Sequence, residues 1–262
     1  LSNNGLQGTG LQLNVGRGHV GTLTVEDSTF TGMNVAISGT LDTAGVGVGP
    51  ELTVNIRDGA DAGTVGNTIH TVRAYGINLF TNGGLATNDG RLNATITNNV
   101  IGLENVANSG SQFGSGIRVD NEGGSTVNVL IDNNTVQGVG DGAFSGFEGI
   151  QISNGVTAST TNATITNNLI RDIFDDRGLQ IESTVAGGVV CSNVTGNTFS
   201  GDIRGDTPLN ATTSVMRVRQ TAGTHNVTQA SAANLATENG LAVNNVTETG
   251  AITYSQPACV LP

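Results

Sequence analysis

Apolar and polar residues alternate along this chain in short runs. Seven runs share one form, a strict in-out-in pattern that opens on Gly or Asn in six of them and on Val in the last: Gly10-Leu-Gln-Leu13, Asn34-Val-Ala-Ile37, Gly76-Ile-Asn-Leu79, Gly116-Ile-Arg-Val119, Gly149-Ile-Gln-Ile152, Gly178-Leu-Gln-Ile181 and Val215-Met-Arg-Val218. Period-two alternation puts the aliphatics on one face of a strand and the polar residues on the other. A second set of alternating runs, such as Ala94-Thr-Ile-Thr97 and Ala163-Thr-Ile-Thr166, leads into polar pairs that are followed by aliphatics. The second member of each pair falls at Ser28, Asn67, Asn99, Asn134, Asn168 and Asn197, at intervals of 29 to 39 residues.

A unit of this size, made only of short strands and tight corners, cannot bury its own apolar face, whereas stacked units bury a continuous column. The pattern therefore predicts a β-solenoid of six to seven coils with two or three strands each. Asn suits the corners because it tolerates the left-handed conformation and its amide can bond the equivalent Asn in the next coil. A ladder of Asn67, Asn99, Asn134, Asn168 and Asn197 is expected. Asn168→Leu should then cost much more stability than Asn154→Leu.

The recurring Thr-Ile-Thr-Asn-Asn-x-Ile and Gly-Ile-x-Val/Ile motifs resemble the right-handed parallel β-helix repeats of the pectin-lyase-like superfamily, over roughly residues 10–220. The resemblance implies an all-β, right-handed parallel β-helix. It also implies a secreted or cell-surface setting, since that superfamily holds polysaccharide lyases, glycoside hydrolases, epimerases, phage tailspikes and bacterial surface adhesins. Fold alone does not choose among these activities. The closing stretch, from Val-Met-Arg-Val-Arg-Gln220 to Pro-Ala-Cys-Val-Leu-Pro262, resembles the last segment of large bacterial β-helix surface proteins.

Beyond Arg219 the repeat stops. Residues 229–240 read as a short helix capped by Thr228, with Gly240 just past its end. Strands are expected over 241–246 and 251–254. The chain thus divides into coils over 1–220 and a C-terminal cap over 221–262. Cys191 lies on the last full coil and Cys259 near the end. A bond between them would close 68 residues and clamp the cap, worth about 4 kcal/mol by chain entropy; two buried free thiols are the alternative. The edge at residues 1–10 is expected to meet another coil, in a longer chain, an oligomer or a filament.

Charge narrows the partners. Ten Arg and no Lys stand against 21 acids, a net charge of −11, which disfavours nucleic acid and anionic membrane surfaces. No apolar run reaches the 18 residues or so of a membrane span. No His-x-x-x-His, Cys-x-x-Cys or phosphate-loop pattern occurs, so neither a transition metal nor a cofactor is expected. The clusters Asp58/Asp61 and Asp172/Asp175/Asp176 could hold Ca²⁺ through carboxylate oxygens but fit no defined loop motif, and they read rather as solvated loop carboxylates. Asn-x-Ser/Thr occurs at Asn93, Asn133, Asn162, Asn193, Asn210, Asn226 and Asn245, as chance would give in so Asn- and Thr-rich a chain.

Candidate chemistry is left on the outward face of the Gly-x-x-x strands. One column should present Gln12, Ala36, Asn78, Arg118, Gln151, Gln180 and Arg217; a second, two residues on, should present Asp120, Ser153, Glu182 and Arg219. Amides, guanidinium groups and carboxylates at strand spacing suit sugar hydroxyls. Arg118, Asp120, Gln151, Gln180, Glu182, Arg217 and Arg219 are the expected binding residues for a polysaccharide or cell-surface glycan. Asp120 and Glu182, about 9.6 Å apart along the axis, are the carboxylates a polysaccharide hydrolase or lyase would use. Phe113, Phe144, Phe147 and Phe174 sit on insertions, either as an exposed patch or as satellite packing under their loops. The expectation is a structural and adhesive surface protein, with a polysaccharide-active enzyme as the alternative.

Overall fold

The computed structural model describes residues 8–45, 47–59, 65–83, 89–143, 146–204 and 214–262. Three sheets, parallel throughout, run along the molecule. The first contains β1 (Thr9–Val15), β4 (Val35–Asp42), β7 (Tyr75–Asn82), β10 (Ile117–Asn121), β13 (Ile150–Asn154), β16 (Leu179–Ser183), β19 (Met216–Gln220) and β21 (Val246–Thr249). The second contains β2 (Val20–Glu26), β5 (Glu51–Arg57), β8 (Gly90–Thr97), β11 (Ser125–Asp132), β14 (Thr160–Thr166), β17 (Val189–Thr195), β20 (Thr224–Val227) and β22 (Ile252–Thr253). The third contains β3 (Thr29–Thr31), β6 (Thr68–His70), β9 (Val100–Ile101), β12 (Thr135–Val139), β15 (Leu169–Ile173) and β18 (Thr198–Ile203). The chain visits the sheets in turn, so each circuit is one coil of a parallel β-helix. Pairing continues beyond residue 220 through β20, β21 and β22.

Register makes the core. Leu11, Ile37, Ile77, Ile117, Ile150, Leu179 and Met216 occupy one inward column of the first sheet. Leu52, Leu92, Val127, Thr161 and Val190 form another in the second. Burying such columns from coil to coil supplies the hydrophobic stabilisation that no single coil has.

The Asn ladder is present and longer than expected. Each Nδ2 donates to the next Oδ1, from Asn67 to Asn99 (2.8 Å), Asn134 (2.9 Å), Asn168 (3.0 Å) and Asn197 (2.9 Å), and then to Asn239 (2.8 Å). Each Oδ1 also accepts the backbone N–H of the preceding member, as Asn168 does from Asn134 at 2.9 Å. The second amide proton goes to a backbone carbonyl, such as Ile131 from Asn168 at 2.9 Å. The left-handed conformation belongs to the residue before four of the ladder Asn, with φ of 60° at Asn98, 54° at Asn133, 56° at Asn167 and 70° at Gly196.

Asn154 is not the exposed comparator expected. It is fully buried in a second polar stack, with Thr81, Asn121 and Ser183, at the corner between the first and second sheets. Thr81 donates to Asn121 at 2.7 Å, and Asn154 donates to the Val189 carbonyl at 3.0 Å. Here single Thr, Asn and Ser residues at strand ends lie inside, and no recurrent doublet marks them in the sequence.

The cap differs in detail from expectation. Its helix, α1 (Ala232–Glu238), is capped by Ser231, whose side chain accepts from the Asn234 N–H. Thr228 cannot serve, because its N–H still pairs with the Ser192 carbonyl and its hydroxyl with Asn193. Leu235 and Ala236 plug the core. A 3₁₀ turn (Val243–Asn245) replaces the start of the expected 241–246 strand, returning the chain to the edge of the first sheet, where the Val215 N–H bonds the Asn245 carbonyl. Cys191 and Cys259 form a disulfide with Cα atoms 5.6 Å apart. Cys191 lies in the outward column of Asn162 and Asn226, so the bond pins the terminal segment over the outside of the second sheet.

Alternation also explains many of the Asn-x-Thr sequences. Asn93-Ala-Thr95, Asn162-Ala-Thr164 and Asn226-Val-Thr228 are out-in-out triplets on second-sheet strands or at their ends. The Asn93 and Asn162 amides are engaged along the face, where Asn128 bonds Asn93 and Asn162 bonds Asn128, each at 2.8 Å. Asn210 lies outside the described residues.

Candidate functional site

The outward face of the first sheet carries two in-register columns. The first is Gln12, Ser38, Asn78, Arg118, Gln151, Gln180 and Arg217. Ser38 stands where Ala36 was expected. Ile37 pairs with Leu11 rather than Leu13, and Gly39 takes an inward position opposite Leu13 and Leu79, which shifts the Asn34–Ile37 motif by two residues. Ala36 is buried. The second column is Asn14, Thr40, Phe80, Asp120, Ser153, Glu182 and Arg219. Asp120 and Glu182 are separated by Ser153, as the spacing predicts.

Most of these groups bind one another. Arg118 donates to Asp120 and Arg217 to Gln180, while Arg219 approaches Glu182 at 3.4 Å. Arg118 also donates to the Tyr75 hydroxyl at 3.4 Å, and its guanidinium lies 5.3 Å from the centre of that ring. Burial pushes the Asp120 carboxyl above its ordinary range, against the opposing pull of Arg118 and of the Ser153 hydroxyl. Glu122, two residues on, is raised as well, first by burial and then by Asp120 and Glu182.

Beside this face run the segments 102–116, 140–149 and 174–178, which lead from third-sheet to first-sheet strands. They bring in polar residues that the sequence did not single out. Glu148 is 1% exposed; the Ser115 hydroxyl lies 3.3 Å from its carboxyl and 3.2 Å from Gln151. Burial, reinforced by Asp176, pushes Glu148 up to about 8. Arg177, wholly buried, donates to Asp176 at 2.7 Å and to Ser214 at 3.3 Å. The one signal for these residues is position, immediately before the Gly that opens the next strand.

The loop acids are not solvated. Asp172, Asp175 and Asp176 are all buried; Asp172 accepts the Asp202 N–H at 3.3 Å and Asp175 the Gly142 N–H at 2.6 Å. These loops stack on one another, so a carboxylate in one coil closes the backbone of its neighbour. Asp58 accepts from Asn98 at 2.8 Å; Asp61 lies outside the described residues. Phe113 packs beneath Arg73, Phe174 beneath Arg204, and Phe147 against the core, which is satellite packing. Phe144 lies outside the described residues. Among the described residues no helix is long and apolar enough to cross a membrane. Comparison of the chain with family models, with curated proteins and with solved structures gives no match.

Proposed function

We propose that this chain is a secreted or cell-surface structural and adhesive β-helix of the right-handed, pectin-lyase-like type, whose first-sheet face binds a glycan or a partner surface. The observation that carries the reading is the pair of continuous outward columns, Asn78 to Arg217 and Phe80 to Arg219, beside a one-sided ledge of loops. Such a strip offers hydrogen-bond donors and acceptors at strand spacing over several coils, which suits an extended repeating ligand better than a small one. The disulfide supports an oxidising compartment.

A polysaccharide-active enzyme is the second reading, favoured by Asp120 and Glu148, both carboxyls held above their ordinary range by burial beside this face. A protonated carboxyl could act as a general acid, with Glu182 opposite it. Glycan-array binding run beside a product assay, on the same acidic and neutral polysaccharides, tests both. Binding without cleavage supports the adhesive reading. Cleavage abolished by Asp120→Asn, Glu148→Gln or Glu182→Gln makes the chain an enzyme, and silence in both assays leaves a scaffold.

A further inference from the structure

The Asn ladder has an outer side, on a corner away from the first-sheet face. Asn98, Asn133 and Asn167, in the left-handed conformation, stand outside it, and the ladder residue after each turns in. The next residue points out again. On β9, β12, β15 and β18 these outward residues are Val100, Thr135, Leu169 and Thr198, in register from coil to coil. Two parallel rows result, one of amides and one of Thr and aliphatic side chains, with the ladder as their floor.

A hollow of about 230 Å³ lies between the rows, lined by Val65, Asn98, Asn99, Val100, Asn133 and Thr135. Farther along the same corner is another of about 220 Å³, beside Gly196, Thr198 and Glu238. The polar atoms here are within reach of a ligand, since Asn133 and Asn167 are exposed and Thr135 is half-buried. Each exposed Asn commits its amide nitrogen inside the protein, Asn133 to Asn98 and Asn167 to Asp132, and its Oδ1 accepts no hydrogen bond among the described residues. A side chain already held in this way loses little freedom when a ligand binds.

Spacing selects the ligand. The rows repeat once per coil, about every 4.8 Å, and four strands span about 14 Å. That step is close to the rise per residue of an extended 1,4-linked glycan, whereas an extended peptide advances about 3.4 Å per residue and falls out of step. No Arg lines either hollow among the described residues, and Asp58 and Asp132 accept from the amide row, so an anionic chain is disfavoured.

We propose that this corner trough binds a single chain of a neutral 1,4-linked polysaccharide lying along the solenoid axis. Successive sugar hydroxyls donate to Asn133 Oδ1 and Asn167 Oδ1 and exchange hydrogen bonds with the Thr135 and Thr198 hydroxyls, while C–H faces rest on Val100 and Leu169. The site is distinct from the first-sheet face and stands or falls apart from it.

The left-handed backbone allows a clean test. Asn133→Gly with Asn167→Gly keeps the φ of 54° and 56° without strain and removes only the amides. Isotope-labelled protein is titrated with cellohexaose, mannohexaose and hexagalacturonate and followed by backbone-amide NMR. A neutral hexaose should shift the Asn98, Val100, Asn133 and Thr135 signals saturably, and the double variant, checked by circular dichroism, should weaken that binding about tenfold. Thr135→Val, which removes a hydroxyl and keeps the shape, should weaken it severalfold and serves should the double variant fail to fold. Unchanged affinity in whichever variant folds, preference for hexagalacturonate, or no saturable shift with either neutral hexaose overturns the trough. Shifts confined to first-sheet residues such as Gln151 and Gln180 also overturn it, while leaving the first-sheet reading in place.

Discussion

Replacing Asn168 by Leu removes one rung from the middle of the Asn ladder while keeping the side chain's approximate size. The Asn134 backbone N–H then loses its acceptor, and the Ile131 carbonyl loses the Asn168 Nδ2 donor now 2.9 Å away. The Asn134 amide keeps the Ile96 and Asp132 carbonyls, so it is not orphaned. Two stranded buried groups at about 1–3 kcal/mol each give a loss of about 2–6 kcal/mol. For a chain of this length that is a fall in thermal midpoint on the order of 10 °C. The control is Asn55→Leu, at a half-exposed second-sheet position with no side-chain hydrogen bond among the described residues, and a change within about 0.5 kcal/mol is expected. Thermal unfolding followed by circular dichroism reads both. Equal midpoint shifts would refute the claim that the ladder stabilises the coils.

Asn154→Leu should now cost about as much as Asn168→Leu, since its amide is equally buried, and a shift no larger than that of Asn55→Leu would remove the second polar stack from the account. Thiol titration of the unfolded, unreduced chain should find no free cysteine, and reduction should cost about 4 kcal/mol for a closed loop of 68 residues. His225, fully buried against Ser192 at 3.0 Å, has its pKa lowered by burial to about 4. Its contribution is therefore complete above pH 6.5 and fades as pH falls towards 4, by up to about 3 kcal/mol. His225→Gln should flatten that acid limb, and an unchanged pH–stability curve would count against it. Glu148 has the opposite sign: the folded state holds its proton more tightly, so stability is greatest below pH 4.5 and declines as pH rises towards 8. Glu148→Gln should abolish that slope.

Much of this architecture is readable without coordinates, because a solenoid repeats its local rules. Strict alternation assigns in and out on every Gly-x-x-x strand, and the Asn corners keep step because each must meet its equivalent one coil away. Asp120, Ser153, Glu182 and Arg219 could therefore be aligned from spacing alone. Two misassignments have separate causes. At Ala36 the inward glycine, Gly39, breaks the apolar signal, and at Thr228 a good capping residue is still committed to pairing with β17.

Tertiary structure decided what lies between the repeats. Loop acids such as Asp175 and Asp176 became buried partners because successive loops stack, and loops of unequal length do not announce which coil they will meet. Asn239 joined the ladder only because the helix C-terminus lands over the last corner. Burial of Glu148 and Arg177 depends on how closely neighbouring coils and loops approach. Periodicity along the chain sets the direction of each side chain, whereas its exposure and its partners are set by the packing of segments some 30 or more residues away.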